Sequence, residues 1–243
     1  MDWMLIGWVT GGLLLAGVVK GATGLGYASC ALPFLVTGLG LKPAMAIVLV
    51  PAMATNVAVA LTTGHLRETV ARFRPLYIAM IPGIAVGLGL LVWIDQKLAV
   101  RTLGIVVVGY VAWTVLRPHL ELTTDTAARL QLPVGFLNGV LTGLTGSQVM
   151  PLFPYMMSLS LDPSRLVQAI NLAVLVCSLI LGVGLLAAGI MTPLLLGLSL
   201  LAILPALSGV EIGTRLRHHI PADRFRTVVL SVLLIAGLSM IVR

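Results

Sequence analysis

Two short polar stretches interrupt an otherwise oily chain, and any chemistry must be done there. The first runs Lys20-Gly21-Ala22-Thr23-Gly24-Leu25-Gly26 and sets a cation and a hydroxyl among three glycines. The second, from Asn138 to Gln148, gathers Asn138, Thr142, Gly143, Thr145, Gly146, Ser147 and Gln148. Glycine lets backbone come close to a ligand, while Thr, Ser, Asn and Gln supply neutral hydrogen bonds. A helix that restarts after such a break aims its free N–H groups and positive dipole end into the gap, which suits an anion. Two such ends converging on one ligand would favour several oxygens on one centre. Lys20, just before the first break, either meets that anion or snorkels to an interface. Asn56 and Asn171, inside apolar stretches, either donate to a ligand oxygen or bond a neighbouring helix.

Other chemistries lack their residues. There is no HExxH, no GxxxxGKS and no Ser/His/Asp set, so no catalytic or metal-ligating residue is expected, and no cofactor. His65, His119, His218 and His219 fall in expected loops, and Cys30 and Cys177 read as packing thiols inside apolar segments. Glu211 is expected to pair locally with the Arg215 cluster. Gly11, Gly12, Gly17, Gly21, Gly83, Gly87 and Gly89 read as helix-packing glycines.

The elements that position the two stretches must lie in lipid. With 59% hydrophobic and 9% charged residues, the 243-residue chain cannot cover a soluble globule with polar surface. Charges are absent from 43–66, 75–94, 130–161 and 166–210, and about 20 apolar residues span a bilayer as a helix. The segments are apolar on both faces, which excludes a β-barrel. A net charge of +7 sits in short loops between spans, so it reads as membrane orientation and headgroup contact, not nucleic-acid binding. Met1 to Trp8 lacks the basic start of a signal peptide, so the first apolar stretch is expected to be retained.

The chain also repeats itself. Gly17, Gly21 and Pro33 lie 118 residues before Gly135, Gly139 and Pro151; Pro82 answers Pro205, and Arg101-Thr102 answers Arg226-Thr227. Halves of 1–120 and 125–243 follow, forming one membrane domain. The basic loops are not equivalent: His65–Pro75 in the first half, Arg215–Arg226 in the second. Because cytoplasmic loops carry the positive charge, this exchange points to inverted repeats. In that arrangement 76–94 and 166–188 run outward, 99–116 and 193–210 run inward, and 226–242 runs outward. Each half is expected to hold a broken or re-entrant helix pair, at 3–40 and 130–160, plus three transmembrane helices. The alternative is eight spans arranged as 4+4 parallel repeats.

At these residues the sequence resembles the TauE/SafE family of sulfite exporters, also called the TSUP family. The matching pieces are Gly17 to Pro33, Gly135 to Pro151, Ile81-Pro82-Gly83 with Gly87, and Gly209 to Leu216 with Phe225-Arg226. Members carry a run of glycines where this chain reads Thr23-Gly24-Leu25-Gly26 and Gly143-Leu144-Thr145-Gly146. The resemblance, extending over essentially the whole chain, implies movement of sulfite, sulfonates such as taurine or sulfoacetate, or related sulfur anions. The expected protein is thus a multi-pass transporter of the bacterial inner membrane, with a small anion and the lipid bilayer as partners. An anion channel is the alternative function, and the sequence leaves homodimer formation open.

Overall fold

The computed structural model describes residues 3–24, 26–62, 64–116, 120–216 and 222–242, with the backbone alone at 58–62 and 222–226. Among these residues there is no strand. Eleven helices follow in order: α1 (Trp3–Thr23), α2 (Tyr27–Leu39), α3 (Leu41–Thr62), α4 (Leu66–Trp93), α5 (Gln96–Leu116) and α6 (Thr124–Thr145), then α7 (Leu152–Met157), α8 (Pro163–Ala187), α9 (Pro193–Leu201), α10 (Ile203–Leu216) and α11 (Ala222–Val242). Lipid cannot satisfy a free backbone group, so runs of this composition must close their hydrogen bonds within the helix. Five stretches are long and apolar enough to cross a bilayer: α1, α4, α5, α8 and the α9–α10 rod. Their outward faces carry large apolar side chains such as Trp93, Val183, Leu194 and Leu204, as a lipid-facing surface requires.

Several boundaries differ from the sequence reading. Residues 66–75 form the first turns of α4, not a loop, so Arg67, Arg72 and Arg74 ride on a helix that bends at Phe73 just before Pro75. Likewise Asp125 and Arg129 belong to α6 and Arg215 closes α10. At 21 residues α1 is itself long enough to span, more than a re-entrant limb needs, whereas α2 has only 13. Arg117, His119, Arg217, His218 and His219, and the side chains of Arg224, Phe225 and Arg226, lie outside the described residues.

Glycine decides how the helices meet. On α6, Gly135, Gly139 and Gly143 lie against the carbonyls of Leu76, Met80 and Ile84 on α4, while Gly83 and Gly87 lie against Phe136 and Val140. A second contact of the same kind joins α1 to α10, where Gly17 and Gly21 meet Ala206 and Val210, and Gly209 and Gly213 meet Leu14 and Val18. A Cβ at any of these positions would overlap partner backbone, so the helices touch main chain to main chain. Residue numbers rise together across both contacts, so each pair is parallel. Two other pairs run oppositely. Gly104 of α5 faces Gly237 to Ile241 of α11 while Gly237 faces Val107 and Val108, and Leu49 of α3 touches Gly182 of α8 while Asn56 and Asn171 share Lys20.

Gly12 packs on Phe34, in keeping with its expected role. Gly11 and Gly89 do not share it: nothing lies near a Cβ at either position. Glu211 pairs with Arg215 at 2.8 Å, and both cysteines are buried and free, as the sequence suggests.

Prolines interrupt the hydrogen bonding of α3 and α4, and side chains of other helices bond carbonyls nearby. Pro51 lacks the N–H that would bond Ile47, and the Ile47 carbonyl accepts from Ser199 Oγ of α9 at 2.9 Å. At the α4 bend the Arg72 carbonyl accepts from Gln131 Nε2 of α6 at 3.0 Å.

Placing a side chain in a glycine contact should be costly, while an open glycine should tolerate one. Gly213→Val and Gly139→Leu are expected to lower stability by about 1–3 kcal/mol or more, with Gly89→Ala staying within about 1 kcal/mol of the parent. Thermal unfolding of the detergent-purified protein, followed by size-exclusion fluorescence, measures the difference.

Candidate functional site

Two helix breaks build the site. α1 closes with the Gly24 N–H donating to the Lys20 carbonyl at 2.7 Å, and Gly24 and Gly26 hold the left-handed φ of 78° and 84°. α6 closes alike, the Gly146 N–H donating to the Thr142 carbonyl at 2.8 Å with φ 75°. Only glycine adopts this conformation without strain. After the first break α2 restarts with no side-chain cap, so the first-turn N–H groups of Tyr27, Ala28 and Ser29 have no intrahelical acceptor. After the second break, residues 147–149 run non-helically to the cis Met150–Pro151 bond and short α7.

Lys20 stands at the meeting point. Its side chain does not snorkel; it is 4% exposed. The Nζ donates to Asn56 Oδ1 at 2.7 Å and also to Asn171 Oδ1. Each asparagine anchors its own NH₂ one turn back, Asn56 on the Ala52 carbonyl at 2.6 Å and Asn171 on the Val167 carbonyl at 2.8 Å. Both amides are therefore turned with oxygen toward the amine. Both oxygens hold Lys20, and of each amide's two N–H groups one is bonded to its own helix. Among the described residues no carboxylate pairs with Lys20.

Beside Lys20 lies a cavity of about 20 Å³, shared by Gly26, the start of α2, Asn56, Gln148 and Phe153. That is room for about one water molecule, so a sulfur oxyanion enters only if the surrounding helices part.

Of the remaining expected residues, Gly24 shapes the break, and Gln148 reaches the cavity while donating from Nε2 to Ser178 Oγ at 3.0 Å. Others serve the backbone. Thr23 is exposed, with its hydroxyl on the Val19 carbonyl at 2.8 Å. Thr145 donates to the Leu141 carbonyl at 2.6 Å and accepts from the Ser147 N–H, and Thr142 donates to the Ser147 carbonyl at 3.2 Å. Gly143 is a packing glycine against Ile84. Asn138 is fully buried, its Nδ2 on Cys177 Sγ at 3.4 Å, and it does not line the cavity; nor does buried Ser147. The N–H groups of Tyr27–Ser29 are those of the helix restarting after the first break, which the sequence reading expected to face the gap. That reading missed Phe153, for which no local signal exists.

A family model for the sulfite exporter TauE/SafE matches residues 9–240. The chain belongs to the TauE/SafE family. As a member it is a multi-pass membrane transport protein, in keeping with its long apolar helices. No curated relative and no solved structure matches it. Among the described residues no cluster of His, Cys, Asp and Glu is placed to hold a metal ion.

The asparagine pair offers a sharp test. Asn171→Asp should give Lys20 an internal counter-ion, so the melting temperature of the anion-free protein is expected to hold or rise. Thermal shift of the detergent-purified protein reads the change. Asn171→Leu removes one of two acceptors from a buried amine and should lower stability by about 1–3 kcal/mol.

Proposed function

We infer that this protein carries a small oxyanion, sulfite or an organosulfonate, across the bacterial inner membrane by alternating access through the Lys20 cavity. One observation carries the reading: a buried lysine whose partners are neutral faces the uncapped start of α2 across a cavity. A buried cation needs compensation, and the free N–H groups and dipole of α2 favour the same sign of ligand. The sulfur comes from the family, whose name states sulfite export. A channel would need an open path, and the cavity as it stands admits about one water.

Inverted duplication is the architecture we favour, and the helix senses support it. Repeats related by an axis along the membrane normal would make α3 parallel to α8 and α5 parallel to α11, yet the contacts run oppositely in both pairs. The parallel pairs α1–α10 and α4–α6 each join the broken helix of one half to the fourth segment of the other. Gly40, at the end of α2, lies beside Gln96 at the start of α5, and Arg165 of α8 pairs with Glu68 of α4 at 3.3 Å. Both neighbourhoods agree with the expected sidedness.

The register of the repeat shifts as well. By backbone role Lys20, Thr23 and Gly24 answer Thr142, Thr145 and Gly146, 122 residues on, so the counterpart of Lys20 is Thr142 and not Asn138. The parts that move are then not the two sequence halves. Main-chain contact leaves α1 and α10 no slack, nor α4 and α6, so each cross-half pair moves as a unit and the cavity between them opens to alternate sides.

In proteoliposomes, efflux of radiolabelled sulfite is expected, with Lys20→Gln reducing it by about tenfold or more and Thr23→Val leaving it within about twofold. Normal efflux by Lys20→Gln would remove the site from this account. Single cysteines in a cysteine-free background check sidedness: those at 95 and 188 should react with an impermeant reagent from outside, and those at 72 and 217 should not.

A further inference from the structure

We propose that Lys20 carries a proton together with the anion, so that the protein is an anion–proton cotransporter whose coupling site is a single lysine. The inference rests on the anion-site reading above and adds the coupling ion to it.

The donor count at Nζ points this way. An ammonium group has three N–H donors, and a neutral amine has two with a lone pair. The protein supplies two acceptors, Asn56 Oδ1 and Asn171 Oδ1, and both are fixed by their own backbone bonds. Two acceptors complete the neutral amine, whose lone pair can face water or the free N–H groups of α2 across the cavity. The third N–H comes only with the proton, and among the described residues it finds no protein acceptor. An oxyanion in the cavity supplies one.

Charge balance agrees. The titratable groups on elements around Lys20 are Tyr27 and Cys30 of α2, Tyr155 of α7, Cys177 of α8, and Glu211 and Arg215 of α10, the last two exposed and paired with each other. Lys42 opens α3, and Asp162 and Arg165 sit at the start of α8, where Arg165 is paired with Glu68 and Asp162. None of them compensates a cation at Nζ. An empty carrier that reorients with a bare ammonium bears the full cost of an unpaired charge in a low-dielectric interior. With the amine neutral it bears none. The step is Lys20–NH₂ plus a proton from water plus the anion, giving Lys20–NH₃⁺ held against the anion; release on the other side returns the proton and the anion to water.

Lys20, Lys42 and Lys97 are the three lysines of the chain, so the Lys42→Arg/Lys97→Arg variant leaves one lysine to observe. With ¹⁵N-lysine labelling in proteoliposomes at fixed pH, the Nζ shift separates amine from ammonium. Sulfite and methanesulfonate, which does not titrate near neutral pH, are the probes. Amine without anion, converting to ammonium with one proton taken up per anion bound, supports the proposal. Ammonium in both states, or amine in both while thermal shift reports binding, overturns it. Absence of binding by either probe instead overturns the site itself.

Lys20→Arg provides a second, kinetic arm, because arginine keeps its charge. Whatever the absolute rate of exchange, the ratio of anion-for-anion exchange to net efflux is expected to rise by about tenfold over the parent. Net efflux that keeps pace with exchange in this variant overturns the proposal, and so does wild-type methanesulfonate influx that is indifferent to an imposed pH gradient.

Discussion

Everything near the centre of this protein is arranged around one difficulty, a lysine amine removed from water and given only uncharged company. Two asparagine oxygens take two of its hydrogens, and each asparagine is turned that way because its NH₂ is spent on its own helix one turn back. This fixes the rotation of α3 and α8 about their axes, since both must present an amide oxygen to the same point. It also fixes where α1 ends, because the left-handed glycine that closes the helix follows Lys20 by one turn. A lone buried cation is a poor stabilising device; held beside an uncapped helix start, it makes sense as a place for a visiting negative charge.

The glycine contacts answer a different demand. In lipid there is no hydrophobic force to drive helices together, so association depends on close packing. Backbone-to-backbone contact along α1–α10 and α4–α6 supplies it. Such contacts leave little room for a side chain, because each glycine Cα already lies against partner backbone. Around Lys20 it is side chains that meet, not backbones.

Polar bookkeeping in the interior follows the same logic. Where Pro51 opens α3, Ser199 of another helix bonds the Ile47 carbonyl, and at the α4 bend Gln131 bonds that of Arg72. Thr142 and Thr145 are spent on the backbone of the second break. Those two hydroxyls look available in the sequence and are committed in the fold, whereas the Ser147 and Tyr27 hydroxyls are buried without a partner. Beside the cavity stand the first-turn N–H groups of α2, whose place after Gly26 the sequence already marks.

The sequence by itself determined the solvent, the helical class, the two breaks and the family resemblance, because those depend on composition and on glycine and proline at particular positions. It singled out Lys20, Asn56 and Asn171 as polar residues in apolar stretches, and this too is local information. What it could not determine was direction. Whether an asparagine offers its NH₂ or its oxygen depends on which carbonyl lies one helical turn away and on what stands opposite, and the opposite partners are 36 and 151 residues distant. Nor could it separate Gly143, which packs, from Gly146, which turns, since both read as glycine beside threonine and only the neighbouring helix tells them apart.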